Sequence, residues 1–158
     1  MPESQNSKKI ICIADHDEDD RMLLHEALLT LNQPFEILEI GGKDQLADRL
    51  SRLSEILPDF IFLNTSMPGV EGFHYIEAIR KEVGSGMKIK IIIYSTDNER
   101  SSIEKAFEHG ADFYAVKPSN YRDLKNLARN IIEMNWETFD EGKQNISYSL
   151  NQYFMNSL

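Results

Sequence analysis

A chain of 158 residues, 41% hydrophobic and 27% charged, has the size and balance of one soluble globular domain that buries a core without staples. Its net charge of -9, from 17 basic and 26 acidic residues, repels a phosphate backbone and argues against a nucleic-acid partner. The single cysteine, Cys12, lies in the apolar run Ile10–Ile13, so it reads as a small core hydrophobe and not as part of a disulfide framework or zinc site. No run approaches the roughly 18 apolar residues of a membrane span. Met1–Lys9 is polar and lacks a signal-peptide core, so the expected location is cytoplasmic and no membrane partner is expected.

Taken in order, Lys8–Ala14 reads as a first strand, apolar after two lysines, and it runs into the acidic loop Asp15–Asp20. A helix from about Asp19 follows, with Met22, Leu23, Ala27, Leu28 and Leu31 as its apolar stripe. Acidic residues in its first turn suit the positive end of the helix dipole, so the acid run reads equally as a helix start and as a remnant site. Phe35–Ile40 is a second strand. Gly41-Gly42 turns the chain into an amphipathic helix marked by Leu46, Leu50, Leu53 and Leu57.

The run Phe60–Leu63 is too short for a helix and is flanked by turn formers, as befits a strand buried on both faces of a parallel sheet. Asn64 closes it, Met67-Pro68-Gly69 turns the chain, and a helix is expected from about Glu71 to Val83 with Phe73, Ile76, Ala78, Ile79 and Val83 inward. Gly84-Ser85-Gly86 ends that helix. Lys88–Ser95, rich in isoleucine, is a fourth strand. Asn98–His109 is helical with Ile103, Ala106 and Phe107 inward, and Gly110 suits the position after the cap. Phe113–Val116 is a fifth strand, and Ser119 or Asn120 caps a last helix through Leu124, Leu127, Ile131 and Ile132.

Five strands alternating with five helices of crossover length predict an α/β fold with a parallel sheet. In such sheets ligands and chemistry sit beyond the carboxyl ends of the strands. Those ends present Asp15-His16, Asn64, Ser95-Thr96 and Lys117-Pro118. After Asn135 the pattern lapses, with Trp136, Phe139, Ile146, Tyr148, Leu150, Tyr153, Phe154 and Met155 scattered among polar residues. One more helix, roughly Asn145–Asn156, is compatible with that stretch, which folds back, pairs with a second copy as a homodimer, or stays loose.

The order of these motifs carries a family resemblance. An acidic loop after the first strand, Met67-Pro68-Gly69 followed by Gly72, a hydroxyl residue closing the fourth strand and Ala111–Pro118 resemble the receiver domain of two-component response regulators, of the chemotaxis type. The resemblance covers Lys8 to about Met134. It implies a flavodoxin-like, doubly wound sheet of strand order 2-1-3-4-5, with residues 1–7 as a flexible terminus, 8–134 as the receiver domain and 135–158 as an extension. Carried over by position, Asp15 and His16 match the acid pair that binds Mg²⁺, and Asn64 matches the phosphorylated aspartate. Ser95 matches the phosphoryl-contacting hydroxyl, Tyr114 the switch aromatic and Lys117 the conjugate lysine, with Lys117-Pro118 as the family's cis peptide.

Two departures decide the expectation. Asn64 is an amide, uncharged and a poor nucleophile, where a carboxylate is needed. His16 replaces a hard oxygen ligand, which Mg²⁺ prefers. Three carboxylates and a lysine would sum to about -2, whereas Asp15 with Lys117 sums to about 0, so the pull on a divalent cation is largely gone. No metal or other cofactor is expected, Asp15 being the weak candidate ligand. Lys117 is expected to turn to Asp15, and Asn64, able to donate and accept, to bridge Ser95 and Lys117.

Other readings are blander. His16 lacks the three or four convergent ligands of a transition-metal site, since His25, His74 and His109 fall on different helices. Gly41-Gly42-Lys43 and Gly84–Lys88 match no phosphate-binding fingerprint, and no Gly-x-Ser-x-Gly elbow serves Ser95-Thr96. Phe113, Tyr94 and Tyr114 divide between interface and core roles. The expected function is therefore a non-enzymatic, stand-alone receiver-like module of phosphorelay signalling. It would contact a histidine kinase or downstream target without phosphorylation at Asn64. Phosphorylation at another residue such as Asp17, or a flavin or nucleotide bound on the same fold, are the alternatives.

Overall fold

The computed structural model describes residues 8–68, 72–83 and 89–137. The strands are β1 (Lys9–Ala14), β2 (Phe35–Ile40), β3 (Phe60–Leu63), β4 (Lys90–Ser95) and β5 (Phe113–Val116). The helices are α1 (Glu18–Leu29), α2 (Lys43–Leu50), α3 (Leu53–Ile56), α4 (Gly72–Val83), α5 (Arg100–Glu108) and α6 (Tyr121–Glu133). All pairings are parallel, in the order β2-β1-β3-β4-β5, with Ile11 opposite Phe60 and Ala14 opposite Leu63. The fold is the expected flavodoxin-like one.

Alternation along the strands splits the core in two. Ile11, Ile13, Phe60, Phe62, Ile92 and Phe113 face α1 and α6, whose Leu24, Leu28, Leu124, Leu127 and Ile131 meet them. Cys12, Ile61, Leu63, Ile91, Ile93 and Tyr114 face the opposite layer, where Leu46, Leu53, Ile76, Ile79 and Ile103 close the second core. Tyr94, Phe113 and Tyr114 are therefore core side chains, at 4%, 0% and 0% exposure.

Three expectations about helices need correction. The buried face of α1 is Leu24, Ala27, Leu28, continued by Leu31, at i, i+3, i+4 and i+7, which turns Met22 and Leu23 outward. The single helix expected through Leu57 is two, because α2 ends at Leu50 with Ser51 as its cap and α3 is one turn closed by Leu57 in the left-handed region (φ 54°), which puts that leucine in solvent. Ala78 is exposed on α4, whose inward residues are Ile76 and Ile79. Gly69, Gly84–Gly86 and the helix expected near Asn145–Asn156 lie outside the described residues.

Gly72 opens α4 because nothing larger fits: a Cβ there would stand 2.5 Å from the Thr65 Cα. Gly110 follows the α5 cap with φ +110°, where a side chain is strained. Arg80 of α4 ties its layer to the sheet by donating to the Ile89 and Gly110 carbonyls and to Asp112. Asp112, buried beneath it, also accepts from the Ile91 amide. At the amino ends of the strands Trp136 packs on Phe60 and Phe113, with the Lys90 ammonium 5.4 Å from its ring centre.

Candidate functional site

The site is built from the last residues of β1, β3, β4 and β5. The strand ladder sets its backbone: Asp15 N–H donates to the Ile40 carbonyl, Asn64 N–H to Ala14, and Lys117 N–H to Ser95. This register brings Asp15, Asn64, Ser95 and Lys117 to one edge of the sheet. The Lys117–Pro118 peptide is trans, as are all those described, which corrects the expected cis bond; even for proline, trans is favoured by about 0.5–1 kcal/mol.

Asp15 is the hub, at 1% exposure. Its Oδ1 accepts from Asn64 Nδ2 at 3.1 Å and from the Asp17 amide at 3.0 Å, and its Oδ2 accepts from Lys117 Nζ at 2.7 Å. A buried carboxylate is stable only when paired and hydrogen-bonded in this way. Lys117 thus turns to Asp15, and it also donates to Asp20 Oδ2 at 2.7 Å. Burial alone would depress the Lys117 ammonium, yet the hydrogen bonds and charges of Asp15 and Asp20 outweigh it and hold the group above its ordinary value.

Asn64 does not bridge Ser95 and Lys117. Its amide nitrogen is committed to Asp15, and its Oδ1 accepts from the Ser66 amide at 2.9 Å. The orientation follows from the neighbours, because an amide oxygen turned toward the Asp15 carboxylate would place two acceptors face to face. Ser95 Oγ instead accepts from the Asp97 amide at 3.1 Å. Tyr114 donates its hydroxyl to the Asp97 carbonyl at 2.6 Å, so Ser95 and Tyr114 together fix the loop after β4. Burial pushes the Tyr114 phenol up to about 12 and moves Tyr94 in the same direction.

The acidic loop divides its labour. Asp17 is the α1 N-cap, its carboxylate accepting from the Asp20 amide at 3.1 Å. His16 is half exposed, with Nδ1 3.6 Å from Asp15 Oδ1. Asp20 was hidden in the run of acids, although it is the residue that reaches Lys117. Arg21 was also missed: it donates to the Asp15 carbonyl at 2.7 Å and to Glu39 at 3.1 Å. Glu39 is held below the usual carboxylate range first by its hydrogen bond with His25, then by Arg21. Among the described residues, no group of three or more His, Cys, Asp or Glu side chains gathers as a metal site.

Residues 11–129 match the response regulator receiver domain family, and the chain belongs to that family. Among curated relatives, it is 31% identical over 86 residues to the two-component response regulator ORR21 of Oryza sativa subsp. indica, covering 54% of this chain and 11% of that protein. It is 28% identical over 107 residues to the nitrate/nitrite response regulator NarL of Escherichia coli K12, covering 67% of this chain and 48% of that one. The chain thus spans less than half of either relative. The phosphorylated cyanobacterial phytochrome response regulator RcpA shares the fold with a TM-score of 0.69 at 22% identity, over 80% of this chain and 93% of that one. Receiver domains are signalling domains of two-component systems, and they interact with histidine kinases and downstream effectors.

Proposed function

We propose that this receiver domain signals by protein contact from a fixed conformation, without a phosphoryl group at position 64 and without Mg²⁺. The observation that carries the reading is the 3.1 Å bond from Asn64 Nδ2 to Asp15 Oδ1. An aspartate at 64 would set two carboxylates against each other and favour a cation between them. The amide turns that repulsion into a hydrogen bond and satisfies Asp15 from within the protein.

The donor set does not suit Mg²⁺. Both Asp15 oxygens are engaged, Asn64 directs its NH₂ inward, and His16 supplies nitrogen where a hard oxygen is needed. With Asp20 included, the paired charges sum to about -1, and the Lys117 ammonium already sits between the two carboxylates. Asp17 gains no support as a substitute acceptor, because its carboxylate caps α1. The Tyr114–Asp97 and Ser95–Asp97 bonds hold the loop after β4 through groups of the protein itself, which suits a constitutive contact surface. Its partners would be a histidine kinase or a downstream signalling protein.

Acetyl phosphate with Mg²⁺ tests the reading. The native chain should incorporate no covalent phosphate, and Asn64→Asp combined with His16→Asp should gain it. Stable phosphate on the native protein would overturn the proposal.

A further inference from the structure

Between α1 and the amino end of α6 lies a hollow of about 100 Å³, on the side of the sheet that those helices cover. Leu23, Pro118, Tyr121 and Leu124 give it apolar walls, while Asp20 and Tyr94 give it polar groups. Tyr94 is only 4% exposed, yet its hydroxyl has no hydrogen-bond partner among the described residues. The ring itself is accounted for, edge-on to Phe62 and 5.4 Å from the Lys117 ammonium. After burial, the charges of Asp20 and then Asp15 raise this phenol, so its oxygen end lies toward those carboxylates and the hollow. A buried hydroxyl without a partner is destabilising, and a ligand that accepts from it gains what the fold alone forgoes.

We propose that the hollow binds a small neutral molecule bearing a primary amide. Its carbonyl oxygen accepts from the Tyr94 hydroxyl, its NH₂ donates to Asp20, and its short alkyl part rests on Leu23, Pro118 and Leu124. Asp20 has an oxygen to offer, because Lys117 takes Oδ2 and Oδ1 has no partner among the described residues. The first turn of α6 borders the hollow, and its partial positive charge favours a carbonyl oxygen there. Charge selects against ions of either sign. Asp15, Asp20 and Lys117 sum to about -1, which repels an anion, and the Lys117 ammonium already stands where a cation would. An apolar cavity of about 150 Å³ holds benzene, so this one suits a ligand of about four or five non-hydrogen atoms. Asn64 and His16 are not among the lining residues, so the acetyl phosphate test and this one are separate.

Amide NMR of the full chain titrated with propionamide tests the assignment. Saturable shifts are expected at Leu23, Tyr121 and Leu124 but not at Trp136, with a Kd of about 1–10 mM for a ligand of this size. Propionate, of the same shape but charged, should bind about tenfold more weakly. Tyr94→Phe should weaken propionamide about three- to tenfold and leave the ligand-free urea midpoint equal or higher. No saturation by about 100 mM propionamide, ten times the upper Kd, would overturn the proposal. Propionate binding as tightly, or a folded Tyr94→Phe variant binding propionamide unchanged, would do the same. Should that variant fail to fold, Asp20→Asn decides: the preference for propionamide over propionate should shrink to less than about threefold, and an unchanged preference would reject the site.

Discussion

The charge of Asp15 is held by three donors from three different parts of the chain: the Asn64 amide, the Asp17 backbone and the Lys117 ammonium. Removing the ammonium with Lys117→Met strands a buried carboxylate and should cost about 3–5 kcal/mol, read as a lower urea midpoint. Asp20→Asn leaves Lys117 paired to Asp15 and removes a carboxylate about one-third exposed, so the loss should stay near or below about 1 kcal/mol. The reverse ranking would show that Asp20 is the main partner. Asp15, Asn64 and Lys117 were legible because each closes a strand at a spacing that fits the resemblance. Asp20 was not, since four neighbouring acids offer the same charge and only the helix phase decides which one faces β5. The direction of Asn64 was also out of reach, because it depends on the Ser66 amide and on Asp15 accepting at once.

At the scale of elements, strand signals were plain and helix faces were not. Continuous isoleucine runs leave no doubt about β1 and β4. By contrast Met22, Leu23 and Leu24 are consecutive apolar residues, and a one-residue change of phase moves a different pair to solvent. The α2–α3 break carried no glycine or proline to announce it; the heptad of leucines continues through it, and Leu57 adopts a left-handed backbone against its own preference. The close approach of α4 to the β3 loop yields a sharp expectation. Gly72→Ala forces a methyl against the Thr65 backbone, which cannot swing aside, and should destabilise by about 1–3 kcal/mol in chemical denaturation. A neutral result would mean that α4 can slide away from the pocket.

For the molecule as a whole, the alkaline limb of stability is set by buried groups, the Cys12 thiol within β1 and Lys117, Tyr94 and Tyr114 toward the carboxyl edge. Lys117 is raised above 10.5 on folding, so its contribution is fully present below 10.5 and is lost as pH rises through the higher folded value. Burial raises Tyr94 and Tyr114 above 10.0; the unfolded chain releases those protons first, which also weakens the fold above that pH. On the alkaline side the urea midpoint should therefore begin to fall above about pH 9, where the unfolded Cys12 thiol ionises before the buried one, and fall further above about pH 10 as Lys117 and the two tyrosines join. Tyr114→Phe should leave the early phenolate absorbance unchanged and remove only a late step near 12. An early loss of amplitude would place the phenol in solvent.

The lone tryptophan adds a practical consequence. Its ring rests on the first residues of β3 and β5 and under the first residue of β4, a full strand length from Asn64. Intrinsic emission is thus a gauge of the far pole of the domain. It should follow global unfolding faithfully and stay silent when side chains rearrange around Asp15, so spectroscopy of the pocket calls for a second indole introduced at the opposite rim.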